Sequence, residues 1–192
     1  MLIDAIRRFH ASFPTIRIRL ETRTEHEIEH ALQNDAELDV GIAAPLEPSP
    51  DLEYRHLFSL DWSLLTPPSH PLLKRRRLTL GDLVNEPLIL FERGSTGRQH
   101  IVDAFRREGL SPRVEMETTT TQVIVQMVEA GLGVSIVPLL ASGIVTRSRR
   151  VGVRSLAARI RPIDSGILVR RGDPPSTAAS EFIEFIAKRC AK

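Results

Sequence analysis

The chain reads as an α/β protein built from two small lobes, and three observations lead there. The first 43 residues alternate helix, strand, helix, strand, the order of a parallel sheet with helical crossovers. A second α/β series begins at Leu78. Between them TPPSHPL, Thr66 to Leu72, breaks any regular structure. A length of 192 residues accommodates either one domain or two such lobes.

The elements follow in order. Leu2, Ile3, Ile6 and Phe9 fall on one face at helical spacing, so the chain opens inside a helix. After Pro14, Ile16, Ile18 and Leu20 alternate with Arg17 and Arg19, which predicts a strand over Thr15–Leu20. Thr24 and Glu27 have capping-box spacing ahead of a helix carrying Ile28, Ala31 and Leu32. Leu38–Ala43, LDVGIA, is expected to be a short buried strand. Pro45, Pro48 and Pro50 mark a loop, and Leu52–Phe58 and Trp62–Thr66 read as two extended segments. Thr79 can cap a short helix before Pro87, and Leu88–Phe91 is a buried strand. Gly94–Gly97 turns into a helix with Ile101, Ala104 and Phe105 inward, ended by Gly109. Arg113–Glu117 is a strand, Thr120–Ala130 a helix and Gly133–Val137 a strand; Val151–Leu156 is extended. Ile163–Arg170 is a strand returning to the first lobe, and Ser176 caps a last helix with Ala179, Phe182, Ile183 and Ile186 inward. Lobe one then holds residues 1–78 and 162–192, and lobe two 79–161.

Composition narrows the class. With 42% hydrophobic and 26% charged residues the chain is an ordinary soluble globular one. No apolar run is long enough to span a bilayer, and the first residues lack the apolar core and cleavage site of a signal peptide. One cysteine, Cys190, permits no intrachain disulfide, which fits a reducing cytoplasm. The net charge of +2 gives no reason to expect a polyanion partner, and the arginine-rich stretch Thr146–Arg161 reads as solvated surface.

In such folds ligands bind beyond the carboxyl ends of strands, in the crevice between lobes. Two turns satisfy that rule: GSTG after Phe91 and TTTT, Thr118–Thr121, after Glu117. Each sets hydroxyls beside a helix start, whose free N–H groups and positive dipole end suit a small anion or carboxylate. Ser95, Thr96, Gly97, Thr118, Thr119 and Thr120 are the candidate residues. The plainer reading of each turn is an ordinary N-cap.

Enzymatic readings find little. His26 and His30 stand one turn apart, but Glu27, Ile28 and Glu29 between them do not make H-E-x-x-H, so a solvated helix face is the better reading and no metal ligands are assigned. Ser95 is not in a nucleophile elbow, neither Gly-rich turn has the Walker pattern, and no acid/base pair stands out. Hence no catalytic residue and no cofactor is expected. No basic recognition helix is found either.

The stretches FPTIRIRLETRTEHEIEHALQNDAELDVGIA, LLTPPSHPL, GDLVNEPLILFERGSTGR and MVEAGLGVSIVP, in this order, are similar to the effector-binding domain of LysR-type transcriptional regulators across essentially the whole chain. STGRQHIVDAFRREGLSPR is similar to members that govern sulfur assimilation. The resemblance implies a type 2 periplasmic-binding-protein-like fold: two Rossmann-like lobes with a metabolite cleft between them. It implies effector contacts at Thr66, Ser95, Thr96, Thr118 and Thr119, a homodimer, and DNA contact only through a winged helix-turn-helix that these residues do not contain. Nothing here corresponds to the first strand of the family's lobe one. The alternating Ile and Arg of Thr15–Leu20 suit the self-complementary edge of a dimer. A stand-alone solute-binding protein is the alternative, which a secretion signal would favour; a small α/β enzyme comes third, and turnover of a ligand would reveal it.

Overall fold

Side-chain caps start the helices where the sequence places them. The computed structural model describes residues 2–34, 38–139 and 145–190. Helix α1 is Leu2–Ser12 and α2 is Glu25–Asn34. At the start of α2 the Thr24 amide donates to the Glu27 carboxylate at 2.7 Å, and the Glu27 amide donates to the Thr24 hydroxyl at 3.3 Å. That is a reciprocal capping box, and the Thr24 backbone N–H holds the Glu27 carboxyl below its usual range. Thr79 and Asp82 repeat the device before a single 3-10 turn, Leu80–Leu83. Ser176 accepts from the Ala179 amide at 3.2 Å ahead of α5, Thr177–Cys190.

The remaining elements are β1 (Gly41–Ala43), β2 (Leu52–Thr66), β3 (Leu88–Phe91), α3 (Thr96–Arg107), β4 (Val114–Thr118), α4 (Thr121–Glu129), β5 (Val134–Leu139), β6 (Gly152–Ser155) and β7 (Ile163–Arg170). The fold is α/β, and the chain forms two compact units, Met1–Ser59 with Asp164–Lys192, and Leu60–Ile163. It passes from one to the other within β2 and returns at the start of β7. The two extended segments expected at Leu52–Phe58 and Trp62–Thr66 are one strand of 15 residues. Thr66–Leu72 lies in the second unit, because it follows the half of β2 that pairs with β5 and β6.

In the first unit β7 lies between β1 and β2. Gly41 pairs with Leu168 and Ala43 with Gly166 in antiparallel register. Leu57 and Ile167 pack with Ala5, Ile183, Ile186 and Cys190 of α1 and α5, while Leu52 and Leu168 pack with Leu32 of α2, so helices cover both faces. Phe9 sits at the centre of the α1–α5 contact, its ring 5.2 Å from Phe182 and 5.4 Å from Phe185, both edge-on. The Arg170 guanidinium donates to the carbonyls of Leu32 and Leu38, which holds the approach to β1.

Thr15–Leu20 is not a strand. Its alternation is real, but a strand needs a ladder, and none pairs with it among the described residues; Ile18 and Leu20 are 37% and 61% exposed. LDVGIA shortens to Gly41–Ala43 for the same reason: it pairs with β7 over three residues.

In the second unit β3 lies between β4 and β5 and is parallel to both, joined to them through α3 and α4. Every residue of β3 is buried, as expected for a strand covered on both faces. β2 pairs antiparallel with β5 on one side and β6 on the other. Arg154 and Arg159, expected on solvated surface, also serve structure: Arg154 donates to the carbonyls of Leu72, Leu73 and Arg75, and Arg159 to that of Leu78.

Gly133 sets where β5 begins. The Val134 amide donates to the Pro87 carbonyl at 3.0 Å, and a Cβ on Gly133 would stand 2.4 Å from that same oxygen. Backbone cannot yield as a flexible side chain can. Gly133→Ala is therefore expected to lower stability by about 1–3 kcal/mol, read as a lower urea midpoint; an unchanged midpoint would show that the Pro87–Gly133 approach is looser than described.

Candidate functional site

The register of two parallel strands builds the site. Leu90 pairs with Glu117 and Phe91 with Thr118, and the Glu92 amide donates to the Thr118 carbonyl at 3.0 Å. β3 and β4 thus end level, and the turns that follow them are neighbours. Gly94 takes φ +87°, a conformation that favours glycine, and reverses the chain into α3. The Ser95 hydroxyl accepts from the Arg98 amide at 3.3 Å and donates to the Glu92 carbonyl at 2.9 Å. On Gly97 a Cβ would meet the Phe91 ring at 3.1 Å, so a small residue lets α3 start close over the end of β3. After β4, Thr120 caps α4, its hydroxyl accepting from the Val123 amide at 3.3 Å.

Ser95 uses its hydroxyl in both directions, accepting from Arg98 and donating to Glu92, so as a ligand donor it is already engaged; Thr120 caps as an acceptor. Thr96 is buried at 8% exposure, Thr118 is half-buried and Thr119 is exposed. Helix geometry leaves the first amides of α3, on Thr96 and Gly97, and of α4, on Thr121 and Gln122, without partners in their own helices. Two positive dipole ends therefore stand at one edge of one sheet, with Thr119 between them in sequence and open to solvent.

Thr66 does not join this group. Leu65 and Ile89 both pair with Ser135, so β2 ends at the level of Leu88, where β3 begins. Phe91 lies three residues further along, roughly 10 Å at the rise of a strand. Thr66 is fully buried, and its hydroxyl donates to the Pro67 carbonyl at 2.9 Å. The antiparallel direction of β2, invisible while its two halves read as separate segments, decides this.

Sequence reasoning assigned no role to Arg98 or Glu117. The Arg98 guanidinium lies 2.9 Å from the Glu117 carboxylate and donates to the Phe91 carbonyl at 3.0 Å. A signal was available: a cation in the first turn of a helix opposes the dipole and calls for a partner.

Elsewhere the chemistry is sparse. In the first unit His56, Ser59 and Asp164 meet, but both partners touch the same histidine nitrogen, Ser59 at 3.1 Å and Asp164 at 3.6 Å, and Ser59 donates its proton to Asp164 at 2.5 Å. A nucleophilic serine needs the histidine between serine and acid, so this is a polar tie. A concavity of about 550 Å³ beside α2 is lined by Thr22, Arg23, His26, Glu27 and His30; Glu27 is committed to its capping box. Among the described residues no group of three or more His, Cys, Asp or Glu is placed to hold a metal, and no helix is long and apolar enough to cross a membrane.

Comparison with known proteins bears on what this edge serves. The family model described as LysR substrate binding domain matches residues 1–191. The HTH-type transcriptional regulator cbl of Escherichia coli (strain K12) is 38% identical over 143 residues, covering 74% of this chain and 45% of the relative. The chain spans about half the length of the curated relatives it matches. The cofactor-binding domain of the Cbl transcriptional regulator superposes with a TM-score of 0.89 at 31% identity, over 97% of this chain and 82% of that one. The effector-binding domain of QuiR in complex with shikimate has a TM-score of 0.87 at 21% identity, over 99% and 90% of the two chains, a likeness of fold.

The caps give a direct test of the site's construction. Ser95→Ala and Thr120→Ala should each lower stability by about 1 kcal/mol, and Thr120→Ser should restore most of the loss. Equilibrium urea unfolding measures both; a wild-type midpoint in Thr120→Ala would remove the cap at α4.

Proposed function

We propose a ligand-sensing role on one premise: this chain belongs to the family of LysR substrate-binding domains. That family is one of transcriptional regulators, and the chain is not an enzyme. In our reading its ligand is a small anionic or carboxylate metabolite, held at the edge of the second unit by the starts of α3 and α4. The observation that carries this reading is the level ending of β3 and β4, with Phe91 beside Thr118.

Magnitudes separate what the dipole ends contribute from what the amides contribute. One dipole end contributes about 0.3–1 kcal/mol to holding a negative charge. A dissociation constant of ~1 mM requires ~4.1 kcal/mol. Hydrogen bonds to a charged group contribute about 1.5–3 kcal/mol each. Two or three amides acting together reach that affinity; a dipole end without them does not.

The bound form is tested by thermal-shift screening against sulfate, acetylserine-like compounds and aromatic carboxylates. A ligand at a hundredfold excess over its dissociation constant stabilises by roughly 2.7 kcal/mol, or roughly 5–10 °C for a chain of this size. The expected outcome is that at least one compound shifts the midpoint, and that Thr119→Val, near-constant in volume and lacking a hydroxyl, weakens its binding in calorimetry without unfolding the chain. A panel with no active member would contradict the anion reading, and unchanged affinity in Thr119→Val would remove that residue from the site.

We further propose that the domain pairs as a homodimer and that operator binding belongs to a longer regulator of which this is the sensing part, acting in the cytoplasm. The exposed apolar side chains Ile3, Ile18 and Leu20 on the first unit support the pairing. Light scattering at high micromolar concentration should give twice the monomer mass; a strict monomer would sink the pairing.

A further inference from the structure

We infer that Arg98 and Glu117 are positioning residues that lock the start of α3 against the ends of β3 and β4, so that the two helix starts act as one preformed site; the inference rests on the reading that this edge takes an anion. Arg98 is the third residue of α3, where a positive charge faces the positive end of the helix dipole. Its side chain is only 16% exposed. A cation so placed is disfavoured twice, by the dipole and by partial loss of water. Its contacts explain its presence. One guanidinium nitrogen reaches the carbonyl of Phe91, the last residue of β3, at 3.0 Å, and the carboxylate of Glu117 on β4 at 2.9 Å. A single side chain thus joins the first turn of α3 to both strands whose ends carry the site. Arg93 also approaches Glu117, at 3.6 Å, but is 85% exposed and adds little.

The other bonds at this corner fix different things. Ser95 with Glu92, and Glu92 with Thr118, hold the backbone of the turn. Buried Ile101, Ala104 and Phe105 seat the body of α3 in the core, and its first turn is tied to the strand ends by the Arg98 bridge. Its loss should loosen the first turn while leaving β3 and β5 intact, because those strands are held by ladder bonds and by buried Leu88, Ile89, Val134 and Ile136. Amides that must be ordered by the ligand bind it less tightly than amides already in place.

The test combines amide hydrogen exchange on the unliganded chain with calorimetry using inorganic sulfate as the probe. In Glu117→Gln and in Arg98→Met, exchange at the Arg98 and Gln99 amides should quicken roughly tenfold while β3 and β5 stay protected. Sulfate affinity should fall roughly fivefold to tenfold in each, and the double variant should bind no worse than the weaker single one, since the two changes break one interaction. Arg98→Lys, which keeps a charged donor, should recover part of both effects. Wild-type exchange in both variants would overturn the inference. So would faster exchange throughout the second unit with sulfate affinity unchanged, the pattern of a bridge that supports the fold alone. If the wild-type chain gives no heat with sulfate, that result counts against sulfate as a ligand of this edge, and the exchange measurements still decide the bridge.

Discussion

The parallel pairing of β3 with β4 is the constraint on which the rest depends. Because Phe91 and Thr118 stand side by side, the turns that follow are neighbours whatever residues they contain. The pairing skips one residue of β4, Glu115, between Leu88–Val114 and Ile89–Met116, and from there runs in step to Phe91 and Thr118; β3 is buried throughout and pairs with β5 as well. The apolar core of the second unit therefore fixes the distance between two helix starts that share no contact in sequence.

The polar residues at that edge divide their work. Ser95 and Thr120 cap, Gly94 and Gly97 give the backbone room to turn and to approach Phe91, and Arg98 reaches across to Glu117. In the site we propose, a ligand meets mainly backbone amide, together with Thr119. Under that proposal the amides attract negative charge and say little about the rest of the ligand, whose identity is left to side chains at exposed positions.

Much of this was legible in the sequence, for physical reasons that can be named. Capping residues announce themselves locally, so Thr24 with Glu27, Thr79, Ser95, Thr120 and Ser176 all mark real helix starts. Buried strands of the second unit are short apolar runs between turn residues, and Leu88–Phe91 emerges with the same bounds. Failures came where partners decide the outcome. Thr15–Leu20 has a strand's pattern and no ladder to join among the described residues. Thr66 has a hydroxyl at a chain break, but the antiparallel course of β2 carries it to the far end of the sheet and buries it. Glu117 looked like one acid among many, because its partner lies 19 residues away on a helix that only folding brings near. Periodicity and capping are local, while register, ion pairs and burial are not.

We propose that the starts of α3 and α4 bind one anion between them. Anomalous diffraction from crystals soaked in selenate, a heavier analogue of sulfate, tests it most directly. A single peak is expected within hydrogen-bond reach of an amide of Thr96 or Gly97 and of Thr121 or Gln122, with the Thr119 hydroxyl alongside. Selenate at one helix start alone, or at neither while it binds elsewhere on the chain, would contradict it.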